Sequence, residues 1–295
     1  MPDNVCGIVR RALSELPQTI EQSPQLGARQ PGIGCTRDES RTTYRQRTNS
    51  VKQNWPKHIW IVRHGESAGN VARTAADKAG SVRIDIAGRD VDVPLSALGH
   101  EQSEALGRWF AEQPQSLRPN VVISSPYKRA VQTAAIINSF LSPSRQTTQF
   151  LQDERLREKE LGILDRLTRK GIKELHPEQA DFRRVLGKFY HRPPAGESWC
   201  DVILRLRSAL DTISLHHAGE RVLIVAHRIV VLCMRYIIEN LDEAEILRID
   251  AEGEVANCGL TEYAFEPDAV VGGKLVLRRY NFVAPLSEAV APAHH

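Results

Sequence analysis

From residue 58 onward, short apolar runs punctuate the chain. HIWIVR (58–63), VVIS (121–124) and RVLIVA (221–226) are rich in β-branched residues and stay apolar almost throughout, the mark of buried strands. TTQFL (147–151) is a weaker strand, and two more are predicted near 257–264 and 274–282. Between these runs, apolar residues recur at helical spacing. Ser96 suits the N-cap of a helix over 97–112, with Leu98, Ala105, Leu106, Trp109 and Phe110 broadly on one face. Pro126 suits the first turn of a helix reaching about residue 140. Further helices are predicted from 71, over 168–175, 178–189 and 197–216, and from the fourth strand's end to about 238. Strands alternating with helices predict an α/β fold with three α/β/α layers and a mostly parallel sheet. In such sheets ligands bind beyond the carboxyl ends of the strands.

The pattern is absent before residue 58. Residues 1–57 hold 9 Lys and Arg against 5 Asp and Glu, and the stretch 18–54 is rich in Gln, Ser, Thr, Arg, Pro and Gly. It has too little apolar surface to offset the entropy of ordering and is expected to be a mostly disordered basic leader. One short helix is predicted within it, because Val5, Ile8, Val9, Leu13 and Leu16 fall at helical spacing. The folded domain is expected over 58–284, with a frayed tail over 285–295. The remaining chain carries 30 basic against 31 acidic residues, so the domain has no excess charge suited to nucleic acid. No apolar run approaches the ~20 residues of a membrane span, and there is no secretory h-region. Five scattered cysteines form no CxxC, which fits reduced thiols and a cytoplasmic location.

Candidate chemistry collects where the strands end. Arg63 and His64 follow the first strand, Arg129 lies one turn into the helix after the second, Glu158 follows the third, and His227 follows the fourth. Each residue alone has an ordinary structural use; together at one sheet edge they match phosphoryl transfer. Guanidinium forks hold phosphate oxygens. A neutral His64 imidazole could attack phosphorus, and His227 could stabilise the equatorial oxygens. Glu158 could protonate the leaving oxygen and then deprotonate water. The cations supply the charge, so no metal or cofactor is called for.

RHGESAGN (63–70), VPLSALGHEQ (93–102), SSPYKRAVQTA (124–134), LREKELG (156–162), PAGES (194–198) and IVAHR (224–228) resemble, in order, the motifs of the histidine phosphatase superfamily, which includes cofactor-dependent phosphoglycerate mutase. The resemblance covers about residues 58–282 and implies a phosphoglycerate mutase-like fold. It implies phosphorylation at His64, phosphate binding by Arg63 and Arg129, proton donation by Glu158 and a second active-site imidazole at His227. It also implies a phosphate or substrate contact for Asn70.

Arg228 departs from the pattern, which has Gly or Gln after the second His. Its side chain could add a cation to the pocket mouth or turn away to a surface carboxylate. Glu158 and Glu197 are only 39 positions apart, without the long basic insertion of the mutases, which favours the phosphatase branch. Leu232, however, stands where fructose-2,6-bisphosphatase domains carry an Arg. The segment between Gly162 and Gly196 holds 8 basic and 4 acidic residues; it is expected to cover the site, with Arg192 in the FYHRPP run as a phosphate-binding candidate. The expected activity is metal-independent hydrolysis of a small phosphorylated metabolite through phospho-His64. The alternatives are a phosphoglycerate mutase and a catalytically weak binder of phosphorylated ligands. The expected partner is the small substrate, with neither nucleic acid nor membrane, and the oligomeric state is left open.

Overall fold

Both faces of β1 (His58–Arg63) and β4 (Arg221–Ala226) are covered by helices, which is why these strands read as unbroken apolar runs. The computed structural model describes residues 55–141, 148–268 and 273–284. The expected leader, apart from residues 55–57, its short helix and the expected tail lie outside the described residues. With β2 (Val121–Ser124), β3 (Gln149–Gln152), β5 (Leu260–Glu266) and β6 (Lys274–Phe282), the sheet has the order β3-β2-β4-β1-β5-β6. The first four strands in that order are parallel; β5 and β6 are antiparallel to their neighbours.

Alternate side chains feed two cores. On one face Ile59, Ile61, Ile123, Val222 and Ile224 pack with α6 (Trp199–His216), α7 (Arg228–Ile238) and α8 (Glu243–Glu252). On the other, Trp60, Val62, Val122, Leu223 and Val225 pack against α2 (Ala97–Glu112) and α3 (Lys128–Leu141). The result is the expected α/β/α sandwich. Its interior tolerates little change: truncating a fully buried Phe110 or Ile137 to Ala is worth about 2–5 kcal/mol.

The predicted helix from 71 is α1 (Ala68–Lys78), begun earlier by a Ser67–Asn70 capping box. Helices α4 (Arg169–Leu175) and α5 (Pro177–Tyr190) match the two predicted in the segment expected to cover the site. α8 was not predicted. Only Ile246, Ile249 and Asp250 of its ten residues are buried, so its apolar face is too thin to register as a period.

Candidate active site

The carboxyl ends of β1, β2 and β4 lie side by side, and the backbone ladder continues one residue past them. His64 N–H donates to Ala226 O at 2.9 Å, and Ser125 N–H donates to Val225 O at 2.9 Å. This fixes His64, Ser125 and His227 as neighbours before any side-chain contact is made. The imidazoles of His64 and His227 stand 5.2 Å apart, centroid to centroid.

His64 Nδ1 lies 2.7 Å from Gly65 O. A carbonyl only accepts, so Nδ1 carries the hydrogen and Nε2 bears the lone pair. That lone pair accepts a hydrogen bond from Arg129 Nε at 3.2 Å. Burial, and then the charges of Arg129 and Arg63, hold the imidazole well below its ordinary pKa. His64 is therefore neutral at neutral pH, the state a nucleophile requires.

The loop after His64 is held by close packing. A Cβ on Gly65 would come within 2.5 Å of Gly99 O, and one on Gly99 within 1.9 Å of Glu66 O. Gly65 N–H donates to Thr133 Oγ1 at 3.0 Å, Glu66 N–H donates to Gln102 Oε1 at 2.8 Å, and Ser96 Oγ–H donates to Glu66 Oε1 at 2.7 Å. The RHGE, SALGH and RAVQT motifs are thus three sides of one loop support.

Arg129 is buried at the start of α3. Its Nη1 and Nη2 donate to the Asp90 carboxylate at 3.2 and 3.0 Å, and Nη1 also donates to Asp90 O at 2.7 Å. The fork therefore already accepts a two-oxygen anion, the geometry in which it would meet a phosphoryl group. Arg63 is buried, donates through Nη1 to Val255 O, and leaves its Nε without a partner among the described residues.

Glu158 sits in the loop after β3, half-buried, with Oε1 accepting Lys159 N–H at 2.8 Å. Arg205 anchors this loop, donating to Arg155 O at 2.5 Å and to Glu158 O at 3.3 Å, with Glu197 of the GES motif as its counter-ion. Burial pushes the Glu158 carboxyl above its ordinary pKa, although Lys159 N–H, Arg129 and Arg63 all act the other way. His227 is fully buried, its Nε2 2.8 Å from Ser125 Oγ and its ring 5.1 Å from Tyr127. Burial, followed by Arg129 and His64, holds it well below its ordinary pKa.

The structure thus assembles Arg63, His64, Arg129, Glu158 and His227. Asn70 is next to them: its Oδ1 serves the α1 capping box and lies 3.5 Å from Asn257 Nδ2, which also donates to His64 O at 2.9 Å. Arg228 takes the second of its two expected courses, with a difference. Its Nη2 donates at 2.7 Å to Asp250, a carboxylate that is buried rather than on the surface and that also pairs with Lys188. Arg192 is not brought to the group. Asp201, in the first turn of α6, captures its guanidinium, which is 62% exposed. Ser125, Tyr127, Asp90 and Asn257 were not singled out in the sequence. Their roles rest on contacts with residues 39 to 193 positions away. Among the described residues no three His, Cys, Asp or Glu side chains are grouped to hold a metal ion, and no helix is long and apolar enough to cross a membrane.

A pair of neutral imidazoles and two buried guanidinium groups at the carboxyl edge of a parallel sheet define a protein built to receive an anion. The chain belongs to the histidine phosphatase superfamily (branch 1), whose model matches residues 59–276. It is 28% identical over 210 residues to a probable phosphoglycerate mutase GpmB of Yersinia enterocolitica, covering 70% of this chain and 85% of that one. It is 27% identical over 179 residues to 6-phosphofructo-2-kinase/fructose-2,6-bisphosphatase 3 of Bos taurus, matching 61% of this chain but only 32% of the bovine protein. Among solved structures, YhfR of Bacillus stearothermophilus superposes with a TM-score of 0.57 at 25% identity, covering 75% of this chain and 94% of that one. A mycobacterial glucosyl-3-phosphoglycerate phosphatase in complex with VO3 shares the fold, with a TM-score of 0.56 at 21% identity over 76% of this chain and 99% of that one.

Proposed function

We propose that this protein is a metal-independent phosphomonoester hydrolase that works through a phosphohistidine at His64 on a small phosphorylated metabolite. The observation that carries the reading is the state of His64: a neutral imidazole whose Nε2 lone pair faces a buried guanidinium already gripping an anion. In the first step Nε2 forms a bond to phosphorus while the ester P–O bond breaks, and the leaving oxygen takes the Glu158 proton to depart as an alcohol. In the second, Glu158 carboxylate takes a proton from water, whose oxygen bonds to phosphorus as the N–P bond breaks. Inorganic phosphate leaves, and His64 and Glu158 return to their starting states. Arg63, Arg129 and His227 stabilise the charge on the three equatorial oxygens, with Asn70 and the backbone at Arg228 as further donors. Asp90 yields the Arg129 fork when phosphate enters.

Hydrolysis rather than mutase chemistry is favoured by the short stretch between Glu158 and Glu197 and by the Asp250 pairing that turns Arg228 aside. The names of the relatives span both activities. The test uses para-nitrophenyl phosphate in the presence of EDTA, with acid-labile, base-stable phosphoenzyme trapped by rapid quench. Turnover and a phosphoenzyme are expected in the native protein, and His64→Ala should lose both. Hydrolysis that survives His64→Ala would overturn the reading. Rapid interconversion of phosphoglycerates that requires 2,3-bisphosphoglycerate would make the enzyme a mutase.

A further inference from the structure

Ser125 closes the first turn beyond β2, and its hydroxyl lies between two groups. Its Oγ is 2.8 Å from His227 Nε2 and accepts the Tyr127 backbone N–H at 3.3 Å. Both Ser125 and His227 have 0% of their surface exposed, and His227 Nδ1 has no hydrogen-bond partner among the described residues. Burial and the neighbouring cations keep the ring neutral, so a single hydrogen must sit on one nitrogen or the other.

Suppose the hydrogen sits on Nε2. It is then donated to Ser125 Oγ, and the serine hydroxyl hydrogen is left without an acceptor. Nδ1 becomes a buried lone pair with no donor among the described residues, in a ring 5.2 Å from the His64 imidazole. Two polar groups are stranded. Suppose instead that Ser125 donates to Nε2. Its oxygen keeps a lone pair for the Tyr127 N–H, the hydroxyl hydrogen is satisfied, and the ring hydrogen moves to Nδ1. One group is left unpaired, an N–H donor in an imidazole that neighbours His64. Each stranded buried polar group forfeits the hydrogen bonds it made to water in the unfolded chain, so the second arrangement, with one such group rather than two, is the stable one.

We infer that Ser125 is a positioning residue: its hydroxyl holds His227 in the Nδ1–H tautomer, leaving that N–H as the donor to a phosphoryl oxygen during transfer at His64. The inference rests on the phosphoryl-transfer reading of the pocket for its purpose, but the tautomer is a property of the resting protein. Ser125 never touches phosphorus; it acts through the ring it orients.

Long-range proton–nitrogen correlation spectra of histidine-labelled protein read the tautomer directly. The His227 signals are assigned by their loss in His227→Gln. The native protein at pH 7.5 should show hydrogen on Nδ1 and a bare Nε2. Ser125→Ala should give a mixture of tautomers, with kcat lowered on the order of 100-fold, the scale of losing one oriented donor at a developing anion, and KM changed far less. Ser125→Thr keeps the hydroxyl and should restore the native spectrum and most of kcat. Hydrogen on Nε2 in the native protein overturns the inference, as does an unchanged His227 tautomer in Ser125→Ala. A native protein that forms no phosphoenzyme would defeat the functional reading alone, since the spectrum still reports on the Ser125–His227 bond.

Discussion

Burial opposes charge wherever it finds it, so it drives Glu158 and His64 in opposite directions. The carboxyl is pushed up and the imidazole well down. A proton donor and an unprotonated nucleophile can therefore coexist over a wider pH range than in water, where His stays charged below about 6.5 and Glu ionises above about 4.3. Removing the acid should separate the two chemical steps. A para-nitrophenolate leaving group needs no proton, so Glu158→Gln should still release one equivalent in a rapid burst. Turnover thereafter should slow by about 10²–10⁴-fold, because water loses its base. With an alkyl phosphate the burst itself should vanish, and the alkaline limb of the native pH profile should go with it. Undiminished steady-state rates on alkyl phosphates in Glu158→Gln would show that the proton comes from elsewhere. The principal residues were legible because histidines and arginines at strand ends have few competing uses in such a pattern. Ser125 and Asn257 were not, since serine and asparagine are ordinary turn residues and what sets them apart is a contact made only on folding. The Arg192–Asp201 pair was hidden for a related reason: a basic residue in a covering segment says nothing about which carboxylate it will meet.

Helices and loops carry a constraint that no single residue shows. The loop after β1 lies against the first turns of α2 so closely that neither glycine at the contact has room for a methyl group: a Cβ on Gly99 would fall 1.9 Å from Glu66 O and one on Gly65 2.5 Å from Gly99 O. Both obstacles are backbone, which cannot swing aside. Gly99→Ala is expected to lower stability by about 1–3 kcal/mol, the usual cost of overpacking, and to cut kcat by shifting the loop that holds His64. Gly253, after α8, provides the comparison. A Cβ there meets nothing within 4 Å among the described residues, and its φ of 170° is extended backbone open to any residue. Gly253→Ala should stay within about 0.5 kcal/mol of the native protein. Urea unfolding of both variants checks the pair, and equal midpoints would mean that the loop relaxes away from α2. The sequence exposed both glycines within recognisable motifs but not their contact, which joins segments 34 positions apart. The buried strands and long helices were readable because their periods run over many residues. α8 escaped because it is short and buries only Ile246, Ile249 and Asp250. Its Asp242–Glu245 capping box was the one local signal available.

At the scale of the whole molecule, five imidazoles among the described residues share one electrostatic fate. His58, His64, His191, His217 and His227 all have lowered pKa values, with burial as the first cause in each. In the unfolded chain each takes up a proton as pH falls through about 6.5. The folded protein refuses that proton until a lower pH, so over the interval the unfolded state binds more protons and stability falls with acidification. Each imidazole contributes at most about 1.4 kcal/mol per pH unit within its own interval. Glu158 acts the other way: its raised pKa lets the folded protein keep a proton the unfolded chain releases, a stability lost as pH rises through the folded value. One carboxyl does not offset five imidazoles. The carboxylates held low by Arg partners, Asp153 and Asp201 among them, surrender their contribution only in more acidic solution. Urea midpoints measured from pH 7.5 down to 5 should therefore fall steadily before carboxylate protonation begins. His64→Gln and His227→Gln should each flatten that slope whatever they do to the absolute midpoint. A midpoint that holds level or rises between pH 7 and 5.5 would mean that these rings accept protons in place, and the neutral His64 on which nucleophilic attack depends would be lost with it.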